Sequence, residues 1–306
     1  TETRFPQLKI KPLLEEIHSQ CVVTPADKNP QRMVFWCRNQ YQATLKDHID
    51  PRVFRKMTSK PEDILDRACT AVQAFNKPTP RAFTYQYVIP KLHRLDEHRA
   101  PYRGITGKSG KNVVGNDEPL KKPASFMSYL GPEVAYVLNS GIDLLIDNEL
   151  HAEIRRCWIC RDSQEFIDVY SSLPVGVTEV RTVDFKSMYT QLKHPDLKEM
   201  LKLALEDIGR ILAKRFRVDF NAAWNNIVCN FAIKKGPEWT YSSKPPKPGE
   251  FNLATTLKAC ETIIDNCWTM NGGKVYLQKI GLPMGVEPAP PMANLCLYSL
   301  EKIFVD

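Results

Sequence analysis

No stretch of this 306-residue sequence approaches the run of about 20 apolar residues that a membrane-spanning helix needs, which argues against a helical membrane protein. A disulfide framework is missing too. The nine cysteines are odd in number, and Cys21, Cys37, Cys260 and Cys296 sit in apolar runs, the pattern of reduced core residues in an intracellular protein. Cys157 and Cys160 form one CxxC, but no second pair follows at the spacing that would complete a structural zinc site. There is no internal repeat, no initiator Met and no signal-peptide pattern. The amino terminus reads as trimmed, processed or left out, and the expected setting is intracellular, with nucleus and organelle both open.

The GKS of Gly107 to Ser109 does not open a P-loop, because Tyr102 stands where that motif requires glycine and no apolar strand leads into it. Charge is only mildly lopsided. The 42 Lys and Arg against 35 Asp and Glu give +7 and a pI near 8.8, which suits a nucleic-acid partner without requiring one. What the chain does have is size. At 35.0 kDa and 43% hydrophobic it can bury one large domain or two smaller ones.

Met33 to Trp36 and Phe83 to Ile89 are rich in β-branched and aromatic residues and read as strands. Gly104 to Pro123 reads as a glycine- and lysine-rich loop. Phe126 to Glu149 has the spacing of a core-facing helix, and Val177 to Phe185 that of a strand. Asp196, with Glu199 three residues on, has capping-box spacing, and Leu197, Leu201, Leu205, Ile208 and Leu212 form a stripe behind it.

Lys234 to Glu250 reads as a proline- and lysine-rich loop or linker. Leu257, Cys260, Ile264 and Cys267 define a second stripe, and Asn271-Gly272 marks a hairpin turn before a strand from Lys274 to Ile280. Pro290 and Pro291 then open a helix expected to bury Ala293, Leu297, Leu300 and Phe304. Hairpins and helices in non-repeating order predict an α+β fold.

Two stretches carry chemistry. In VDFKSMYT, Val183 to Thr190, a lone Asp184 ends an apolar strand, where a buried charge is expensive. It is a turn cap or a metal-binding carboxylate, of the kind that holds two Mg²⁺ ions in polymerases. Tyr189, five residues on, is a core anchor or a ring that would sit beneath an incoming sugar and exclude a 2′-hydroxyl. In GLPMGVEPAPPMANL, Gly281 to Leu295, two glycines and four prolines crowd an awkward turn before an apolar helix. Gly281 and Gly285 permit close approach of backbone to a ligand, and the prolines start the helix.

VDFKSMYT resembles motif A of reverse transcriptases, and KVYLQKIGLPMGVEPAPPMANLCLYSLE resembles their motif B. Gln278, the GxPMG of Gly281 to Gly285, Ala289-Pro290, Ala293 to Leu295 and Glu301 narrow the likeness to Penelope-like reverse transcriptases, relatives of telomerase. Upstream, TPADKN (Thr24 to Asn29) is similar to that family's first fingers block, VIPKLHRLDEHRAPYRGI (Val88 to Ile105) to its next, and CRDSQEFIDVYSSLP (Cys160 to Pro174) to the run before motif A. These blocks cover most of the chain, in the family's order.

The resemblance implies a right-hand polymerase fold without a thumb. Residues 1–173 would be fingers, 174–200 a palm strand with motif A, 201–270 further fingers or an insertion including the 234–250 linker, and 271–306 palm with motif B. It implies Asp184 as metal ligand, Tyr189 as sugar gate, Lys28, Lys91, Arg94 and Arg103 as cations on triphosphate or template, and Gln278, Gly281, Pro283 and Gly285 as template and nucleotide contacts.

The implied partners are an RNA template and DNA primer, or RNA alone, with Mg²⁺ as cofactor. The paired Asp-Asp that completes such a catalytic set does not follow motif B before Asp306. The expectation is therefore RNA-directed DNA synthesis completed by carboxylates from outside residues 1–306, supplied for instance by a second polypeptide. The alternative is a non-catalytic, polymerase-derived RNA-binding protein of a ribonucleoprotein.

Overall fold

The structure is a computed structural model; it describes residues 10–77, 82–91, 102–107, 126–149, 157–171, 188–230 and 238–305. The first half runs α1 (Ile10–Gln20), β1 (Cys21–Ala26), β2 (Asn29–Cys37), α2 (Arg38–His48), β3 (Phe54–Lys56), α3 (Pro61–Gln73), β4 (Thr84–Pro90), β5 (Tyr102–Gly107) and α4 (Phe126–Glu149). The second runs α5 (Ser163–Ser171), α6 (Met188–Gln191), α7 (His194–Phe216), α8 (Phe220–Asn226), β6 (Ile227–Asn230), β7 (Glu238–Tyr241), β8 (Phe251–Asn252), α9 (Leu253–Asp265), β9 (Trp268–Asn271), β10 (Lys274–Gln278) and α10 (Ala289–Val305).

Local chemistry explains several boundaries. Asn252 caps α9 by accepting from the Thr255 amide while the Thr255 hydroxyl receives the Asn252 amide, a reciprocal box. Asp219 caps α8 through the Ala222 amide. Gly272 and Gly273 both take positive φ, the requirement of the tight turn that joins β9 to β10. In α7 the structure moves the expected cap. The helix begins at His194 after Lys193, with Pro195 and Asp196 already inside its first turn. Proline needs no amide partner there, and Asp196 complements the positive end of the helix.

β1 and β2 form a hairpin. β3-β10-β9-β4-β5 make a second sheet, antiparallel except where β4 runs beside β9, and β7-β6-β8 a third. The main core lies among helices. α7 packs on α4, α8, α9 and α10, and all five members of its expected stripe, Leu197 to Leu212, are buried. Each such side chain contributes roughly 1.5–3 kcal/mol relative to exposure.

The expected strand Val177 to Phe185 lies outside the described residues. Gly104 to Gly107 is not loop but the last four residues of β5. Its glycines serve packing: a Cβ on Gly104 would fall 1.9 Å from His48, and one on Gly107 would fall 2.3 Å from Tyr85. Within the expected linker, Glu238 to Tyr241 is a strand, and Trp239 is buried with its indole N–H donating to Ser140 of α4 at 2.7 Å.

α10 departs furthest from its expected stripe. Ala293 is buried, but Leu300 is 40% and Phe304 96% exposed. The helix packs on α4 and α7, so its first turns bury Ala289, Met292, Leu295, Cys296 and Tyr298, while its last turn keeps the Lys302–Asp207 ion pair to α7 and leaves Ile303 and Phe304 exposed. Of the cysteines, Cys260 and Cys296 are buried as expected, whereas Cys37 is exposed and Cys21 half-exposed; none is disulfide-bonded.

Candidate functional site

β1 and β2 turn at Asp27-Lys28, where Lys28 takes a left-handed φ of 61° and projects into solvent. Asp27 points the other way. Its amide donates to the Pro90 carbonyl at 2.9 Å, and its buried carboxylate lies 3.3 Å from Nε of Arg103. β5 carries Arg103 opposite Ile89 of β4, and Lys91 follows directly on Pro90. The Asp27 turn thereby brings Lys28, Lys91 and Arg103 to one edge, joining blocks far apart in the chain. Arg94 and Asp184 lie outside the described residues.

Tyr189 of α6 is half-buried and packs against the helical core. Burial pushes its phenol up from the ordinary 10.0, and the Arg103 charge acts in the opposite direction. The Tyr189 carbonyl receives the Leu282 amide at 2.8 Å, and Leu192 receives the Gly281 amide at 2.6 Å. The Gly281 carbonyl lies 3.0 Å from Nε2 of His194, accepting in the Nε2–H tautomer. Burial holds His194 below its ordinary 6.5, and that carbonyl opposes the shift.

The far side of the loop is held by β5. The Thr106 amide donates to the Met284 carbonyl at 2.6 Å. Both loop glycines have positive φ, +80° at Gly281 and +104° at Gly285. A Cβ on Gly281 would lie 2.0 Å from the Tyr189 oxygen, and one on Gly285 would lie 2.8 Å from Ile105 and 2.9 Å from the Thr106 oxygen. The close approach seen here is to the chain's own backbone. Gly281 and Pro283 are buried and Gly285 is exposed, so of the three Gly285 faces solvent.

Gln278 is 4% exposed, and its amide donates to the Ile280 carbonyl at 2.9 Å. That bond braces the strand-to-loop junction. β5 thus carries Arg103 near its start, on the side of Lys28 and Lys91, and through Thr106 near its end holds the Gly281–Gly285 loop, which is itself fastened to Tyr189. Sequence reasoning missed Asp27, His194 and the β5 backbone. Asp27 was visible as the neighbour of Lys28 in TPADKN, but nothing local marks it as the partner of an arginine 76 positions on.

Comparison with known proteins completes the picture. No protein-family model and no curated protein matches the sequence. A solved structure of apo telomerase from Candida tropicalis superposes with a TM-score of 0.55 at 12% identity, covering 94% of this chain. The fold is reverse-transcriptase-like. At that identity the likeness is one of fold, and the chain spans 43% of the length of that telomerase. Within this reverse-transcriptase-like fold, no group of three or more His, Cys, Asp or Glu among the described residues could hold a metal ion. None of their helices is long and apolar enough to cross a membrane.

Proposed function

We propose that the chain is the fingers and first part of the palm of an RNA-directed DNA polymerase of Penelope-like type, divided at residues 173, 200 and 270. The linkage of β5, which carries Arg103, to the Gly281–Gly285 loop and of that loop to Tyr189 carries this reading. A cation on one strand and a glycine loop held by it, with an aromatic residue fastened to that loop, suit a triphosphate, a base pair and a sugar.

In this reading Lys28, Lys91, Arg94 and Arg103 grip phosphates of the nucleotide or of an RNA template. Tyr189 gates the sugar. Gly285, with Gly281, Pro283 and Gln278 shaping the loop behind it, supports the template and nucleotide. Asp184 would ligate Mg²⁺, and the remaining carboxylates would come from outside residues 1–306.

The test is primer extension on an RNA template. The chain alone is expected to be inactive, and to gain activity when joined to a segment bearing an Asp-Asp hairpin. Asp184→Ala should abolish that gain; extension that survives it overturns the catalytic assignment. RNA binding that falls steeply with salt and is indifferent to Asp184→Ala, with no extension under any arrangement, would favour a non-catalytic RNA-binding protein instead.

A further inference from the structure

We propose that Asp27 is a positioning residue that holds the Arg103 guanidinium in register for a phosphate. The inference rests on the reading of Arg103 as a phosphate-gripping cation and assigns its orientation to a specific partner. The two side chains of the pair differ in access. That of Asp27 is 6% exposed and that of Arg103 38%, so the carboxylate is behind the surface and the guanidinium opens onto it. The contact runs through Nε, the guanidinium nitrogen nearest the backbone, at 3.3 Å from Oδ1. The two terminal nitrogens carry four more N–H donors in a planar fork, the geometry that suits a phosphate.

A second observation separates this pair from an ordinary structural ion pair. Oδ2 of Asp27 is buried and has no hydrogen-bond partner among the described residues. An unmet carboxylate oxygen is unfavourable, and a purely structural pair gains by satisfying both oxygens. The backbone restricts Asp27 as well, since its amide is committed to Pro90 and its neighbour Lys28 is left-handed. The carboxylate is thus held on a tight turn and presents one oxygen to one side of Arg103. Such a cost is expected where function has set the geometry.

Positioning and plain electrostatics predict opposite signs. Removing a negative charge beside a phosphate site strengthens anion binding if only Coulomb attraction matters. If Asp27 orients the fork, Asp27→Asn weakens binding although net charge becomes more positive.

The experiment measures the affinity of the full chain for inorganic tripolyphosphate and, separately, for a short single-stranded oligouridine. Asp27→Asn should weaken binding by about tenfold, the scale of one charge-assisted hydrogen bond. Arg103→Ala should weaken it at least as much, and the double variant no further than Arg103→Ala alone. Loss seen with tripolyphosphate identifies a nucleotide phosphate and loss seen with oligouridine a backbone phosphate; either supports the inference.

Unchanged or tighter binding by Asp27→Asn, or additive losses in the double variant, overturns the inference while leaving the cationic role of Arg103 intact. Wild-type binding by Arg103→Ala overturns both. Should Asp27→Asn fail to fold, Arg103→Lys decides. A positioned fork predicts a loss close to that of Arg103→Ala, and near wild-type binding by this charge-conserving variant overturns positioning.

Discussion

The amide of Leu282 donates to the carbonyl of Tyr189 at 2.8 Å, fastening the start of the Gly281–Gly285 loop to the residue that ends the VDFKSMY stretch. Tyr189 and the start of the loop are therefore one mechanical unit. A Cβ between them has no room, because the same Tyr189 oxygen lies 2.0 Å from where one would stand on Gly281.

Gly281→Ala is accordingly expected to destabilise the chain by about 3 kcal/mol, combining left-handed strain with a backbone clash. Gly272→Ala has the strain alone, since its Cβ would meet nothing within 4 Å. Its loss should stay near 1 kcal/mol. Urea unfolding of both variants checks this, and equal losses would contradict the role given to the Tyr189 carbonyl.

Along α10, burial separates the first turns from the exposed end. Met292→Ala should lower stability by roughly 2–5 kcal/mol, since Met292 is fully buried. Phe304→Ser should change it by less than about 0.5 kcal/mol, as Phe304 is 96% exposed. Thermal unfolding distinguishes them, and a large loss at Phe304 would refute the exposed last turn.

Thiol reactivity should divide the cysteines. The backbone amides of Gln40 and Asn39 at the start of α2 draw the Cys37 thiol below its ordinary 9.0. Burial pushes Cys296 up to about 12, and Cys260 and Cys267 higher still. Native iodoacetamide labelling followed by peptide mapping should find Cys37 modified first, and at lower pH than an unperturbed thiol. Early labelling of Cys260 or Cys296 would contradict their burial.

Acid should weaken the fold through histidine. Burial holds His194 and His48 below their ordinary 6.5 in the folded chain, opposed by the Gly281 carbonyl and by Gln86. The unfolded chain then binds protons that the folded chain refuses. The stabilisation is complete above about pH 6.5 and is lost as pH falls from there toward the depressed folded values. Urea midpoints measured from neutral to mildly acid pH should fall, and fall less in His194→Gln. An equally steep fall in that variant would assign the acid sensitivity elsewhere.

Much of the helical core was legible in order of residues. The Leu197 to Leu212 stripe, the span Phe126 to Glu149 and the turn after Asn271 follow from short-range rules, because helix period and turn dihedrals are set by neighbouring backbone. Where glycine was read by habit the reading failed. Gly104 and Gly107 suggested a loop, yet they lie in a strand and make room for His48 and Tyr85. Leu300 and Phe304 matched a helical stripe, but periodicity names a face without saying what covers it.

The sequence by itself determined the ordered blocks, the residue types in each and the hydrophobic stripes, since these depend on contacts within a few positions. Only the tertiary structure decided that Asp27 meets Arg103 and that Tyr189 meets Leu282. Those contacts close long stretches of chain, and no local preference encodes them. They hold because the helical core and the β4–β5 pair bring distant backbones within hydrogen-bond reach, where buried polar groups must find partners.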